Sequence, residues 1–318
     1  MGIKKLLPFL KSKGALKAFT GFVPGTKVAI DVPIFAHKFI YVERTYEGLV
    51  RRFHKFADDL KLQHVEPVFV FDGHEKLDLK NDERQKRAVA RDKQLDRCNA
   101  QASKLIEELS QANIEITIST SFSGIMFPTK YEYGMLRESL TSAGHETMQA
   151  RYEAEALCAH LNATDKVALV MTEDTDAVAF GAKRVLFKWS SEEQLEYDQE
   201  HALKALNLTM EQLVDLCCLF GCDFCDNVFN VGPVGAYDLL VKHGSWASIY
   251  DMKKYAWPTK TSESADVFDS KYQKVKACFL TRASEVVPEC PMEASVEANE
   301  TTEDYASKHI EDCESVKE

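Results

Sequence analysis

No run of roughly 18 uncharged apolar residues occurs anywhere in the 318-residue sequence, so no membrane-spanning helix is expected. The opening Met1-Gly2-Ile3-Lys4-Lys5-Leu6 lacks a secretory signal's apolar core and the Ser or Thr at position 6 that myristoylation wants. Neither export nor a lipid anchor is expected; the chain reads as intracellular, with a nuclear, cytoplasmic or viral replication site left open. Cysteine is present but unpatterned: there are nine, an odd count, and Cys222-Asp-Phe-Cys225 is the one tempting pair. No second Cys or His pair follows at zinc-finger spacing, so reduced thiols are expected rather than structural zinc. There is no internal repeat.

Positive charge is scarce, with 39 Lys and Arg against 50 Asp and Glu and a net charge of -11. That total argues against a nucleic-acid partner, because phosphate binding is largely electrostatic. Its distribution changes the argument. From Pro291 to Glu318 nine acids face two lysines, a net of -7, which leaves -4 for everything before it. Should seven of the remaining acids gather around metal ions, the other surface is effectively basic. The tail beyond about Val287 combines low hydrophobicity with high charge, which predicts disorder.

What remains is ordinary for a globular α/β protein: 45% hydrophobic and 28% charged residues. Apolar β-branched runs at Lys27 to Val32, Glu66 to Phe71, Ile114 to Ser119, Lys166 to Met171 and Arg184 to Trp189 read as buried strands. Helical patterns at roughly Ile34 to Lys61, Lys80 to Gln111, Glu153 to Ala163 and Met210 to Phe220 lie between or after them. The alternation predicts a mostly parallel sheet flanked by helices on both faces. Gly73 to Thr147 is far longer than a usual connection and is expected to be an excursion with a job of its own. After Phe220 short helices punctuated by glycine predict a small helical module.

Parallel strands present ligands at their carboxyl ends. Acids stand there at Asp31, Asp72, Asp174 and Asp176, while Glu153 and Glu155 open a helix. Singly each has a plain explanation: the helix dipole favours acids at an N-terminus, and Asp72-Gly73 suits a turn. Gathered at one sheet edge they would repel, and bound cations remove that problem. Two acids at i and i+2 point to different sides of a helix, so each pair converges only where its first member precedes the helix. Oxygen ligands without His or Cys suit Mg²⁺ or Mn²⁺, and two such ions would serve phosphoryl transfer.

In order and spacing, Met1-Gly2-Ile3, Val28-Ala-Ile-Asp31, Val70-Phe-Asp72-Gly73, Tyr152-Glu153-Ala-Glu155-Ala, Thr172-Glu173-Asp174-Thr-Asp176 and Leu219-Phe-Gly221-Cys-Asp223 resemble the flap endonuclease and XPG family. The resemblance runs from Met1 to about His243. It implies a PIN-like 5′ nuclease fold over 1–220 with a helical arch at about 73–147. A helix-two-turn-helix module over 221–287 and an acidic tail over 288–318 complete the chain. It further implies that Asp31, Asp72, Glu153, Glu155, Asp174, Asp176 and Asp223 hold two Mg²⁺ ions, with Mn²⁺ able to substitute, and that Gly2 packs beside them. Lys80 and Arg87 match the family's catalytic Lys and Arg seven residues apart, although they begin one residue further from Asp72 than usual. From the residues alone Lys80, Arg84, Arg87 and Arg91 form one basic stripe at helical spacing, or a solvated helix face.

His37 falls where flap endonucleases carry a stacking Tyr and looks more like the mismatch-repair 5′ exonuclease branch; a packed helix histidine is the alternative. Asn230-Val-Gly232-Pro233 resembles the turn that grips duplex phosphates with a bound K⁺, but Asn230 replaces its first Gly. The expected partner is branched or nicked duplex DNA with a 5′ single strand, cut by a monomer. The C-terminus lacks the Gln and twin aromatics of a sliding-clamp peptide, so no clamp is expected. A PIN-like ribonuclease and a silent scaffold in post-transcriptional control are the rival readings.

Overall fold

The computed structural model describes residues 2–75, 78–111, 128–189, 193–228, 231–251 and 265–282, several of them within 91–111 and those at 251, 265 and 282 by backbone alone. The anticipated strand at Ile114 to Ser119, the outer part of the 73–147 excursion, Asn230 and the acidic tail lie outside these residues. The described residues all fall within one compact unit.

Among the described residues seven strands build a single sheet: β1 (Leu16–Ala18), β2 (Lys27–Asp31), β3 (Glu66–Phe71), β4 (Glu146–Gln149), β5 (Leu169–Met171), β6 (Arg184–Phe187) and β7 (Leu195–Asp198). Their order is β1-β7-β6-β5-β2-β3-β4. From β6 across to β4 every pairing is parallel, while β7 runs antiparallel to both β6 and β1. The sheet is therefore mixed and mostly parallel.

Among the described residues twelve helices accompany it: α1 (Leu6–Ser12), α2 (Val32–Glu43), α3 (Tyr46–Leu62), α4 (Asn81–Gln111), α5 (Lys130–Ser142), α6 (Ala154–Ala163), α7 (Asp176–Ala179), α8 (Gln199–Leu206), α9 (Met210–Phe220), α10 (Pro233–His243), α11 (Trp246–Asp251) and α12 (Ala265–Arg282). The central strands β2, β3, β5 and β6 are largely apolar because both faces are covered. Val28, Ile30, Phe69 and Met171 face a core with Phe35, Phe53 and Leu136 of α2, α3 and α5. Ala29, Val68, Val70 and Val170 face the opposite core, shared by α1, α6, α9 and α12. Trp246, Tyr272 and Phe279 belong to that second core, so the helices after Phe220 pack on the nuclease-sized body itself.

Three segments differ from the sequence expectation. The pattern at Ile34 to Lys61 is two helices, because Arg44 closes α2 in the left-handed region (φ 60°) and Thr45 restarts the chain by accepting the Gly48 amide at 3.0 Å. The strand anticipated from Lys166 is extended only from Leu169, since Lys166 and Val167 close the turn after α6 by donating to Leu161 O. Lys80 ends a 3₁₀ turn (Asp78–Lys80) rather than opening α4. It is 8% exposed, so it does not share an even basic face with Arg84 and the exposed Arg87. The side chain of Arg91 lies outside the described set.

Candidate metal centre

Pairing sets the position of the acids before any side-chain contact does. In parallel register Asp31 lies opposite Val70, Ile30 opposite Met171, and Phe71 opposite Gln149. The chain thus leaves β2, β3, β4 and β5 at one edge, and Asp31, Asp72, Glu153 and Asp174 are among the residues it places there. Glu153 is the extended N-cap of α6 (φ -115°, ψ 135°), and Asp174 precedes α7. Each i, i+2 pair therefore straddles a corner, which lets its two carboxylates converge.

Thr172 ties the edge together, donating to Asp31 Oδ2 at 2.5 Å while its oxygen accepts the Asp174 amide at 2.9 Å. Asp72 Oδ1 accepts the Ala154 amide at 2.9 Å, and Asp174 Oδ1 the Asp176 amide at 3.0 Å. Thr175 Oγ1 accepts the Ile3 amide at 2.9 Å, and Lys4 N donates to Gly221 O at 2.9 Å, so the N-terminal segment is stitched to the site. Gly2 (φ 82°) presses so closely that an added Cβ would lie 2.1 Å from Asp174 Oδ1. Gly73 is equally constrained, since a Cβ there would meet Arg151 O at 1.8 Å. The bland reading of Asp72-Gly73 as a simple turn understates it.

One oxygen each from Glu155, Asp174 and Asp176 falls within 4.8 Å of the others, all three buried. Both oxygens of Asp176, fully buried, have no hydrogen-bond partner among the described residues. A buried carboxylate without a partner is costly unless protonated or cation-bound. Burial and then the charge of Glu155 raise Asp72 to about 7 and Asp174 to about 6. Asp31 is raised by burial and Glu155, Asp176 by burial and Asp174, and Glu153 by burial and Glu155. All-oxygen donors, mutual repulsion and an unpartnered buried pair of oxygens fit a divalent cation.

Lys80 stands among these acids. Its Nζ donates to Glu153 Oε2 at 2.6 Å and Glu155 Oε1 at 3.1 Å, and lies 4.8 Å from the centre of the Phe224 ring. Burial works against its charge, but Glu155 and Glu153 outweigh it and hold the ammonium protonated. Arg87 donates to Asp223 and, at 3.3 Å, to Glu83. Asp223 is thus tied to α4 through Arg87. Arg84 donates to Asn81 Oδ1 at 2.5 Å on the same helix. His37 is half-buried on α2; burial and then Arg87 hold its imidazole below the usual range. Gly232 caps α10 ahead of Pro233, apart from the acids in the chain and without a left-handed backbone (φ -82°).

Thr172, Thr175 and Phe224 escaped sequence reasoning. The two threonines sit inside the quoted Thr172 to Asp176 motif, so alternation of hydroxyl and carboxylate was the available signal. Phe224, next to Asp223, gave none.

Comparison with known proteins bears on this arrangement. The chain matches the XPG N-terminal domain over residues 1–94 and the XPG I-region over 144–223. It is 32% identical to flap endonuclease 1 of Aedes aegypti over 276 residues, covering 80% of this chain and 69% of that protein. The catalytic core of Rad2 in complex with DNA substrate superposes with a TM-score of 0.65 at 19% identity, over 92% of this chain and 89% of that one. The Holliday junction-resolving enzyme GEN1 in complex with product DNA, Mg²⁺ and Mn²⁺ gives 0.53 at 18%, over 89% and 61%. The two structures speak for the PIN-like 5′ nuclease fold. Sequence likeness goes further: this chain belongs to the flap endonuclease and XPG family.

Proposed function

We infer that the protein is a structure-specific 5′ nuclease that hydrolyses DNA phosphodiesters at a 5′ flap and from a free 5′ end, using two divalent cations, Mg²⁺ or Mn²⁺. The observation that carries this reading is the buried edge of acids around Asp176, whose oxygens lack partners among the described residues, with Lys80 set among the acids by the turn that leads α4 and Arg87 of α4 paired with Asp223. That the Rad2 and GEN1 structures hold DNA supports the substrate class.

Glu155, Asp174 and Asp176 would hold one ion, with Asp31, Asp72, Glu153 and Asp223 supplying the remaining oxygens. Bound cations supply an activated water and neutralise charge on the leaving oxygen. The chain's own residues do the rest. Lys80, kept protonated by its carboxylate neighbours, is a fixed positive charge and not a base. Arg87 offers a half-exposed planar guanidinium able to grip a phosphate in bidentate fashion. Both favour the extra negative charge that builds as water attacks phosphorus and the P–O3′ bond breaks, leaving a 3′-hydroxyl and a 5′-phosphate. His37, neutral near pH 7, brings a ring rather than a charge and can stack on a terminal base.

The test is a panel of labelled flap, blunt, nicked and bubble DNA with Mg²⁺, alongside a matched RNA flap. Cleavage of the 5′ flap and not of the blunt duplex interior is expected, and is abolished by EDTA. Preferential cleavage of the RNA flap would make the protein a ribonuclease, and no cleavage of any substrate would favour a scaffold.

A further inference from the structure

The motif Cys222-Asp-Phe224-Cys225 contributes more than its acid. Phe224 is 1% exposed, yet its ring faces an ammonium that stands among the carboxylates, with Lys80 Nζ 4.8 Å from its centroid. The ring is held from two sides by other aromatics. Phe279 of α12 meets it at 5.2 Å and Phe180 at 6.2 Å, each with an interplanar angle of 84°, while Phe180 and Phe279 contact each other at 4.9 Å. Edge-to-face contacts of this kind fix a ring's plane as well as its place. The backbone below is closed by the Cys222 amide donating to Cys225 O at 2.9 Å, with the two thiols 3.6 Å apart.

We propose that Phe224 is a positioning residue: its fixed aromatic face steers the Lys80 ammonium toward the scissile phosphate. This rests on the nuclease reading above. Lys80 reaches the acids on a long flexible side chain, and carboxylates alone would draw its Nζ wholly onto themselves. An aromatic face attracts a cation through its quadrupole while consuming none of its N–H donors. Lys80 has three donors, two of which go to Glu153 and Glu155. The ring thus supports the charge from one side and leaves the third proton for a phosphate oxygen. With the side chain only 10% exposed, the attraction lies toward the stronger end of its range. Phe279 extends the chain of support to α12, remote from Lys80 in sequence.

The experiment replaces Phe224 by Leu, by Met and by 3,4,5-trifluorophenylalanine in the full chain, each with Lys80 and with Lys80→Met, and measures single-turnover flap cleavage and flap affinity. Trifluorination keeps the ring's shape and drains its negative face. We expect F224L and F224M to slow cleavage about tenfold with affinity unchanged, the fluorinated ring to slow it by a smaller factor, and all three effects to vanish in the Lys80→Met background. Equal slowing in both backgrounds, or a rate indifferent to fluorination, would overturn the proposal by showing that Phe224 only packs. A readout independent of cleavage is the ring-current shift of the Lys80 Cε protons in lysine-labelled protein. It should be upfield in the native protein and lost in F224L, and its absence from the native protein would also overturn the proposal. If the native protein cuts no substrate the nuclease reading fails, while the proton shift still decides whether Phe224 holds Lys80.

Discussion

Arg87 and Asp223, 136 positions apart in the chain, are joined by a hydrogen bond from the guanidinium to the carboxylate, bridging the start of the α4 helix and the loop after α9. The guanidinium has five donors, so this bond and the weaker one to Glu83 leave several for a phosphate.

Arg87→Ala and Lys80→Ala are therefore expected to slow single-turnover cleavage about 10² to 10³-fold while weakening flap binding little. A near-normal rate with weaker binding and a flatter salt dependence would reduce the two residues to an electrostatic guide.

Asp176→Ala should abolish cleavage, leave DNA binding largely intact, and raise the melting temperature in EDTA. The stability gain is expected because the substitution deletes a fully buried carboxylate with no hydrogen-bond partner among the described residues. Thermal unfolding with and without Mg²⁺ checks it: a lower melting temperature in EDTA would mean that unseen contacts anchor the acid.

The raised acids set a pH dependence with a definite sign. Asp72 moves from 3.8 to about 7 and Asp174 to about 6, so the folded protein binds protons that the unfolded chain releases. The stability they contribute is complete below about pH 4 and lost as pH rises through 6 and 7. Unfolding in EDTA should show the melting temperature falling between pH 5 and pH 8, with stabilisation by Mg²⁺ larger at pH 8. A melting temperature that rises over this interval would contradict the shifts.

Gly73→Ala forces a Cβ to within 1.8 Å of the Arg151 carbonyl oxygen. Backbone must move, at a cost of about 1–3 kcal/mol or more, and the movement separates Asp72 from the Ala154 amide that it caps. Loss of both melting temperature and cleavage is expected; a stable, active variant would show that the corner yields freely.

Deleting the tail from Pro291 removes a net charge of -7. Tighter non-specific DNA binding is expected, most at low salt where screening is weakest. Filter binding at two ionic strengths measures it, and equal affinity at low salt would exclude an electrostatic restraint.

The parallel centre of the sheet was legible because β2, β3 and β5 are buried on both faces and read as apolar runs with an acid at or just past the end. The edges were not. Glu146–Gln149 is half solvated and polar, and Leu16–Ala18 is three residues long, so neither carries an apolar run. The helix Lys130–Ser142 lies inside the 73–147 excursion, where aromatic and polar residues alternate without a clear apolar run, although Thr129 and Glu132 form a capping box that announces its start. At the site, acid positions could be read from strand ends, but hydroxyl bridges such as Thr172 to Asp31 and the ring below Lys80 arise only from tertiary approach of distant segments.

The placing of β2 between β3 and β5 has a consequence in time. Its one neighbour is complete at residue 71, whereas the other begins at Leu169. A growing chain can therefore dock α2 and α3 against β2 and β3 early, but the opposite flank of β2 waits for roughly a hundred more residues. Loop closure over that span is slow compared with local helix formation. Until it happens Asp31 and Asp72 lack Asp174 and Asp176, so the nascent protein holds an incomplete acid set and a bare strand edge. A cation that needs Asp174 and Asp176 as well as Asp31 and Asp72 would find its full set of ligands only after the sheet closes.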